Sequence, residues 1–160
     1  MVHRGISRAG PKIQCAHCIL VIGGRYGLQL RDDRPDIAAP GQWSLFGGVI
    51  AEGETPREAI RRELWEELCL RPARFQSLGF RDYFAEFEKE VIRNWLFLSD
   101  VTRIWKTHSL REGRGAAVFS FHGLEKLAIL PVMKTFISEY HEDMRRSARR
   151  SNEGARRRAL

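Results

Sequence analysis

The sequence predicts an α/β fold, an α/β/α sandwich with a mixed β-sheet between its helices. Three observations carry this. Apolar or alternating runs bounded by glycine and proline stand on both sides of one helix, at about 13–22, 26–31, 75–84, 91–99 and 116–121. That helix carries a start signal in Thr55-Pro56-Arg57-Glu58, with a capping residue, a proline at the first helical position and a glutamate three residues past the cap. A second amphipathic helix opens at Pro131, with Val132, Phe136, Tyr140 and Met144 at four-residue spacing. No internal repeat or linker interrupts the 160 residues, so a single domain is expected over 1–144.

Taken in order, residues 1–11 read as a loose N-terminal arm ending at Pro11. The first two strands follow, joined by a turn at Gly23-Gly24. The stretch 32–42 holds Pro35, Pro40 and Gly41 and reads as a loop feeding Trp43-Ser44-Leu45-Phe46. Next come the Gly47-Gly48 turn and the capped helix, expected to reach about Leu68 on an apolar stripe of Ile60, Leu64 and Leu68. Two strands then flank an acidic connection at Glu86, Glu88 and Glu90, and the run 91–98 is apolar enough for a central strand. After a loop, a short strand at 116–121 and a short helix within 122–130 lead to the final helix.

The chemistry concentrates in residues 48–70. Glu63, Glu66 and Glu67 fall at i, i+3 and i+4, so their carboxylates share neighbouring faces of the helix. Crowded like charges are costly unless a cation offsets them, and hard oxygen donors of this kind suit Mg²⁺ or Mn²⁺. A solvated acidic face is the plain alternative. Gly47 and Gly48, which permit close backbone approaches, and Arg62 favour a built site.

This stretch resembles the Nudix box, G-x5-E-x7-R-E-U-x-E-E-x-G-U with U a bulky apolar residue. It departs at one specified position, where Cys69 replaces glycine. The resemblance extends in support over the chain from about Gln14 to Tyr140 and implies a Nudix-type sandwich. It implies a Mg²⁺-dependent (or Mn²⁺-dependent) pyrophosphohydrolase, with the carbonyl of Gly48 and the carboxylates of Glu63, Glu66 and Glu67 as metal ligands. Glu63 is a ligand or the base that activates water. Glu54 and Arg62 match positions that pair and fix the loop against the helix, and with Glu63 they form the candidate catalytic set. A further glutamate in such proteins lies in a Glu-Gly element; Glu112-Gly113 is the candidate here, against the reading of an exposed loop residue, with Glu86, Glu88 and Glu90 as weaker competitors. Cys69 stands where a left-handed cap is expected, which costs a non-glycine residue about 1–2 kcal/mol.

The substrate is read broadly as a small nucleotide derivative, a nucleoside diphosphate linked to another group, such as a nucleoside triphosphate or nucleotide sugar. Arg31 and the aromatic residues Trp43, Phe46 and Tyr83 are the candidate substrate contacts; the aromatic faces suit a base, although aromatics at strand positions equally serve as core. Where ADP-ribose hydrolases of the family carry proline this chain has Glu86, and where diadenosine polyphosphate hydrolases carry tyrosine it has Phe87. Two other readings stand beside hydrolysis of small nucleotides: a non-catalytic nucleotide-sensing module, and an RNA 5′-end pyrophosphohydrolase.

The net charge is +7, and the stretch from Arg145 to Leu160 holds seven arginines against one glutamate, leaving the body at +1. This tail, 145–160, is expected to be a frayed helix end followed by disorder. It suits either RNA or plain solubility, and its composition favours the latter. No run of basic residues interleaved with aromatics marks the body. The early apolar run 18–22 is too short for a signal sequence, and no stretch approaches the roughly 20 apolar residues of a membrane span. Three cysteines cannot all pair within the chain, so a cytoplasmic, reduced protein is expected, as monomer or homodimer. Cys15-Ala16-His17-Cys18 lacks a second pair of zinc ligands, and strand alternation accounts for it.

Overall fold

The computed structural model describes residues 10–158, so the expected N-terminal arm lies outside the described residues apart from Gly10 and Pro11. Its frame is a mixed sheet. Strand β1 (Ile13–Ile22) runs parallel to β6 (Glu90–Asp100), which pairs antiparallel with the edge strand β5 (Gln76–Ala85). The other edge of β1 is shared: β2 (Arg25–Leu30) pairs with its C-terminal end and β4 (Phe46–Val49) with its N-terminal end. β2 carries β7 (Gly115–Phe119) along one side and β3 (Trp43–Ser44) on the other. Pairing Cys18 with Phe46 and His17 with Gly47 leads the glycine turn off β1 beneath the helix that follows.

Helix α1 (Pro56–Leu68) starts as its cap predicts: Thr55 Oγ1 accepts from Glu58 N–H, and the Glu58 carboxylate accepts from Thr55 N–H. Ile60, Leu64 and Leu68 are fully buried against Ala16, Cys18, Leu20 and Phe46 on one face of the sheet. Each such side chain contributes about 1.5–3 kcal/mol on burial. The helix ends at Cys69, which is left-handed at φ 54°, with Cys69 N–H donating to Trp65 O and Leu70 N–H to Leu64 O.

The opposite face packs on α2 (Pro131–Arg158). Its buried stripe is Met133, Phe136 and Ile137, with Tyr140 partly covered, whereas Met144, expected on that stripe, is 53% exposed. A 3.6-residue period explains this: four-residue steps drift around the helix, so the fourth residue of the series leaves the core. α2 also runs to Arg158, well past the change from helix to disordered tail expected near Met144. Arginine and alanine are good helix formers, and Glu142–Arg146 adds an i,i+4 pair. Two 3₁₀ turns complete the chain, His122–Lys126 within the expected helical stretch and Trp105–Thr107, which no sequence signal marked. Cys15 and Cys18 face opposite sides of β1, in separate cores.

Candidate active site

Glu67 is the centre of the acidic cluster and the most deeply placed of its carboxylates, at 4% exposure. Both of its oxygens are held: Oε1 accepts from Gln29 Nε2 at 3.0 Å and Oε2 from Gly47 N–H at 2.9 Å. The Gly47 turn has φ +135°, and a Cβ there would collide with the backbone of Ala16 and His17, so only glycine lets β4 present this N–H. Burial pushes the Glu67 carboxyl up to about 8, with the nearby charge of Glu63 adding and the Gly47 and Gln29 hydrogen bonds opposing. Glu63 lies beside it, its side chain 13% exposed and also raised, first by burial. Gly48 is shaped to Glu63, since an added Cβ would stand 2.7 Å from Glu63 Oε1.

Arg62 organises the rim. Its five N–H donors make five hydrogen bonds: Nε and Nη2 to the two Glu54 oxygens, Nη2 to Val49 O, and Nη1 to Glu63 Oε1 at 2.8 Å and Glu66 Oε2 at 3.0 Å. The guanidinium therefore ties the 49–54 loop to α1 and holds the Glu54 carboxyl down to about 2. On the other side, Arg111 N–H donates to Glu67 O and Ser109 N–H to Leu68 O, which pins the 109–114 loop to the end of α1. Gln29 Nε2 also reaches Glu112 O at 3.2 Å.

These elements enclose a polar cleft of about 320 Å³ lined by Gly47, Gly48, Glu63, Glu67, Glu112 and Gln29, with Arg31 and Arg34 at its side. Of the residues singled out from the sequence, it thus gathers Gly48, Glu63, Glu67, Glu112 and Arg31. Glu66 stands outside the lining, 47% exposed and tied to Arg62. Glu54 and Arg62, expected as catalytic, do not line the cleft; they bond each other and the loop, and Arg62 also holds Glu63 and Glu66. Phe46, expected to contact substrate, is fully buried under α1, because strand alternation turns it into the core. Trp43 likewise packs edge-on against Phe119 at 4.8 Å, away from the cleft. Tyr83 lines a separate, mainly apolar hollow of about 410 Å³ with Phe84, Phe87, Glu86 and Glu88, so those two glutamates are also apart from Glu67. Gln29 was missed by sequence reasoning; the available signal was a polar residue inside an otherwise apolar strand, at the point where β2 faces α1.

Among the described residues, no three His, Cys, Asp or Glu side chains already converge as a metal cage. Arg62 draws Glu63 and Glu66 to itself, and Glu67 is turned to Gly47 and Gln29. The donor set still suits a hard divalent cation. Glu63, Glu67 and Glu112 are oxygen donors on one cleft, where burial first, and then the like charge of neighbouring carboxylates, raises Glu67 and Glu63.

Comparison with known proteins agrees with this geometry. The family model described as NUDIX domain matches residues 14–140. An RNA pyrophosphohydrolase of Psychrobacter sp. (strain PRwf-1) is 43% identical over 54 residues, 32% of this chain and 31% of that protein. The nucleoside triphosphatase NudI of Enterobacter sp. (strain 638) is 37% identical over 62 residues, 39% of this chain and 33% of that protein. The chain thus spans about a third of the length of these curated relatives. In fold it is similar to the MutT protein from Methanosarcina mazei Go1, at a TM-score of 0.70 and 18% identity over 82% of this chain and 94% of that one. The NUDIX domain of Shewanella oneidensis NrtR, solved with ADP ribose, superposes at a TM-score of 0.71 with 14% identity, over 82% of this chain and 88% of that one.

Proposed function

Since the chain belongs to the Nudix family, we propose that it is a divalent-metal-dependent pyrophosphohydrolase. Its substrate would be a nucleoside diphosphate linked to another group, cleaved at the P–O–P bridge. The observation that carries this is the buried Glu67 carboxylate beside Glu63, behind the Gly47-Gly48 turn and facing Glu112 across one cleft. Gly48, Glu63, Glu67 and Glu112, joined by Glu66 once it turns from Arg62, are the residues that would hold Mg²⁺ or Mn²⁺. When bound, the cation supplies charge neutralisation at the phosphate oxygens and a lower pKa for the attacking water.

The chain's own residues do the rest. Gly47 N–H and Gln29 fix the rotamer of Glu67, and Arg62 fixes α1 against the end of β4, the strand that carries Gly48. Arg31 and Arg34 give the cleft cationic groups for phosphate oxygens, with Arg31 braced by its own Nε bond to Ala38 O. Glu63, shielded yet reaching the cleft, would either hold the cation or take a proton from water. The hollow around Tyr83, Phe84 and Phe87 lies across the 32–42 loop and offers aromatic faces for a base. A cytoplasmic location fits this chemistry; among the described residues, no helix is long and apolar enough to cross a membrane.

A panel of nucleoside triphosphates, nucleotide sugars and 5′-triphosphorylated RNA, assayed with Mg²⁺ or Mn²⁺ for phosphate and pyrophosphate release, tests the reading. Metal-dependent turnover lost in Glu67→Gln is expected. Turnover unchanged by that substitution, or absent across the panel, would remove the assignment.

A further inference from the structure

Six arginines gather on the flank of α1 that faces away from Glu67. Arg57, Arg61, Arg71, Arg74, Arg103 and Arg111 are all exposed, and none has an acidic partner among the described residues. The first five border three adjoining hollows of about 500, 500 and 470 Å³ that share Ala73. Asp100, the acid in these hollows, is bonded to Thr102 N–H. Covering apolar rings explains some of the stems: Arg57 and Arg61 each lie 6.0 Å from the centroids of Phe97 and Phe75. It does not explain so many guanidinium groups in solvent around a single carboxylate, Asp100, which lies nearest in charge to Arg103.

Trp65 gives the flank its second character. It is 38% exposed, with the Arg71 guanidinium over its ring at 4.0 Å and Arg111 at 6.0 Å. Such a stack holds guanidinium planes in place, and those planes suit both phosphate oxygens and unstacked bases. The flank is also continuous with the cleft. At about 100° per residue, Arg61 and Trp65 are followed around α1 by Arg62 and Glu66, then by Glu63 and Glu67. Arg111 and Glu112 are neighbours in the loop pinned to the helix end, one reaching Trp65 and the other lining the cleft.

We propose that this flank binds the phosphodiester backbone of a single-stranded RNA whose 5′ phosphoanhydride end occupies the cleft. The proposal rests on the cleft being the hydrolytic site. A lone nucleotide, with its phosphates in the cleft and its base in the hollow around Tyr83, leaves these arginines idle; a polymeric phosphate uses the flank as well and offsets their mutual repulsion. Single strands fit better than duplexes, because the Trp65–Arg71 stack can be extended only by bases free of their own partners.

The test is fluorescence anisotropy with a short 5′-triphosphorylated single-stranded RNA, in EDTA so that binding is read without turnover, across a series of salt concentrations. The variant replaces Arg61, Arg71 and Arg111 with glutamine together, leaving the arginines of α2 intact. Affinity should fall about tenfold or more, and the slope of log K against log salt should flatten by about 2, from three lost phosphate contacts at roughly 0.7 each. Replacing the same three with lysine should keep the slope and lose part of the affinity. Turnover of a free nucleoside triphosphate and the thermal midpoint should match wild type. An unchanged affinity and slope in the glutamine variant, or no RNA binding by wild type, would overturn the proposal. A wild type that binds RNA through these arginines yet hydrolyses nothing would instead sink the hydrolase reading.

Discussion

Replacing Glu67 by glutamine should make the metal-free protein more stable above neutral pH while abolishing its activity. The carboxyl sits at about 8 in the fold against 4.5 ordinarily, so between those values the folded chain holds a proton that the unfolded chain has lost. Its contribution is therefore fully present below pH 4.5 and is lost as pH rises through 8. At about 1.4 kcal/mol per unit, the loss relative to acid is about 3 kcal/mol at pH 7 and about 4 kcal/mol at pH 8. Glutamine escapes this loss. It meets two donors, Gly47 N–H and Gln29 Nε2, with one oxygen, so the Gln29 amide must turn, at a cost of about 1 kcal/mol. Glu67→Gln should thus exceed wild type by about 2–3 kcal/mol at pH 8 and fall slightly below it near pH 4.5. His17, which burial pushes down to about 4, gives the opposite slope between 4 and 6.5, but it is common to both proteins and cancels in the difference. Urea midpoints in EDTA from pH 4.5 to 8.5 read this directly. Added Mg²⁺ should narrow the gap by stabilising wild type through binding. A stability difference that does not vary with pH would refute the account of Glu67 as a strained, buried carboxylate.

Cys69→Gly should stabilise the protein by about 1 kcal/mol, read as a higher denaturant midpoint under reducing conditions, because φ 54° strains any side chain there; a lower midpoint would mean that the thiol packs usefully. Gly48→Ala places a Cβ 2.7 Å from Glu63 Oε1 and should swing that carboxylate aside. Turnover should then drop about a hundredfold with a nearly unchanged thermal midpoint, whereas wild-type turnover would show that Glu63 need not lie there. Truncation after Met144 should leave turnover of free nucleotides unchanged, since α2 is held through Phe136, Ile137 and the 2.7 Å bond between Tyr26 and His141; a large loss would assign the arginine-rich end a part in the site.

Much of this protein is local and therefore legible in one dimension. The capping box at Thr55 and Glu58, the stripe of Ile60, Leu64 and Leu68, and the left-handed stop at Cys69 depend on residues within a few positions of one another. The spacing of Glu63, Glu66 and Glu67 is a helix property, and the Nudix resemblance could be recognised from it. The tertiary structure decided what depends on distant chain segments. Gln29 meets Glu67 only because β2 lies across the sheet beneath α1, and Glu112 joins them only because the 109–114 loop caps that helix. Phe46 and Trp43 went to the core because strand alternation, not their aromatic character, sets which way they face. The arginines at 57, 61, 71, 74, 103 and 111 are scattered along the chain, only Arg61 adjoining another, and a body of charge +1 shows no basic run. Folding places their acidic counterparts elsewhere and sets the six arginines around Trp65 and Ala73, because charge adds up over distance in space rather than over position in sequence.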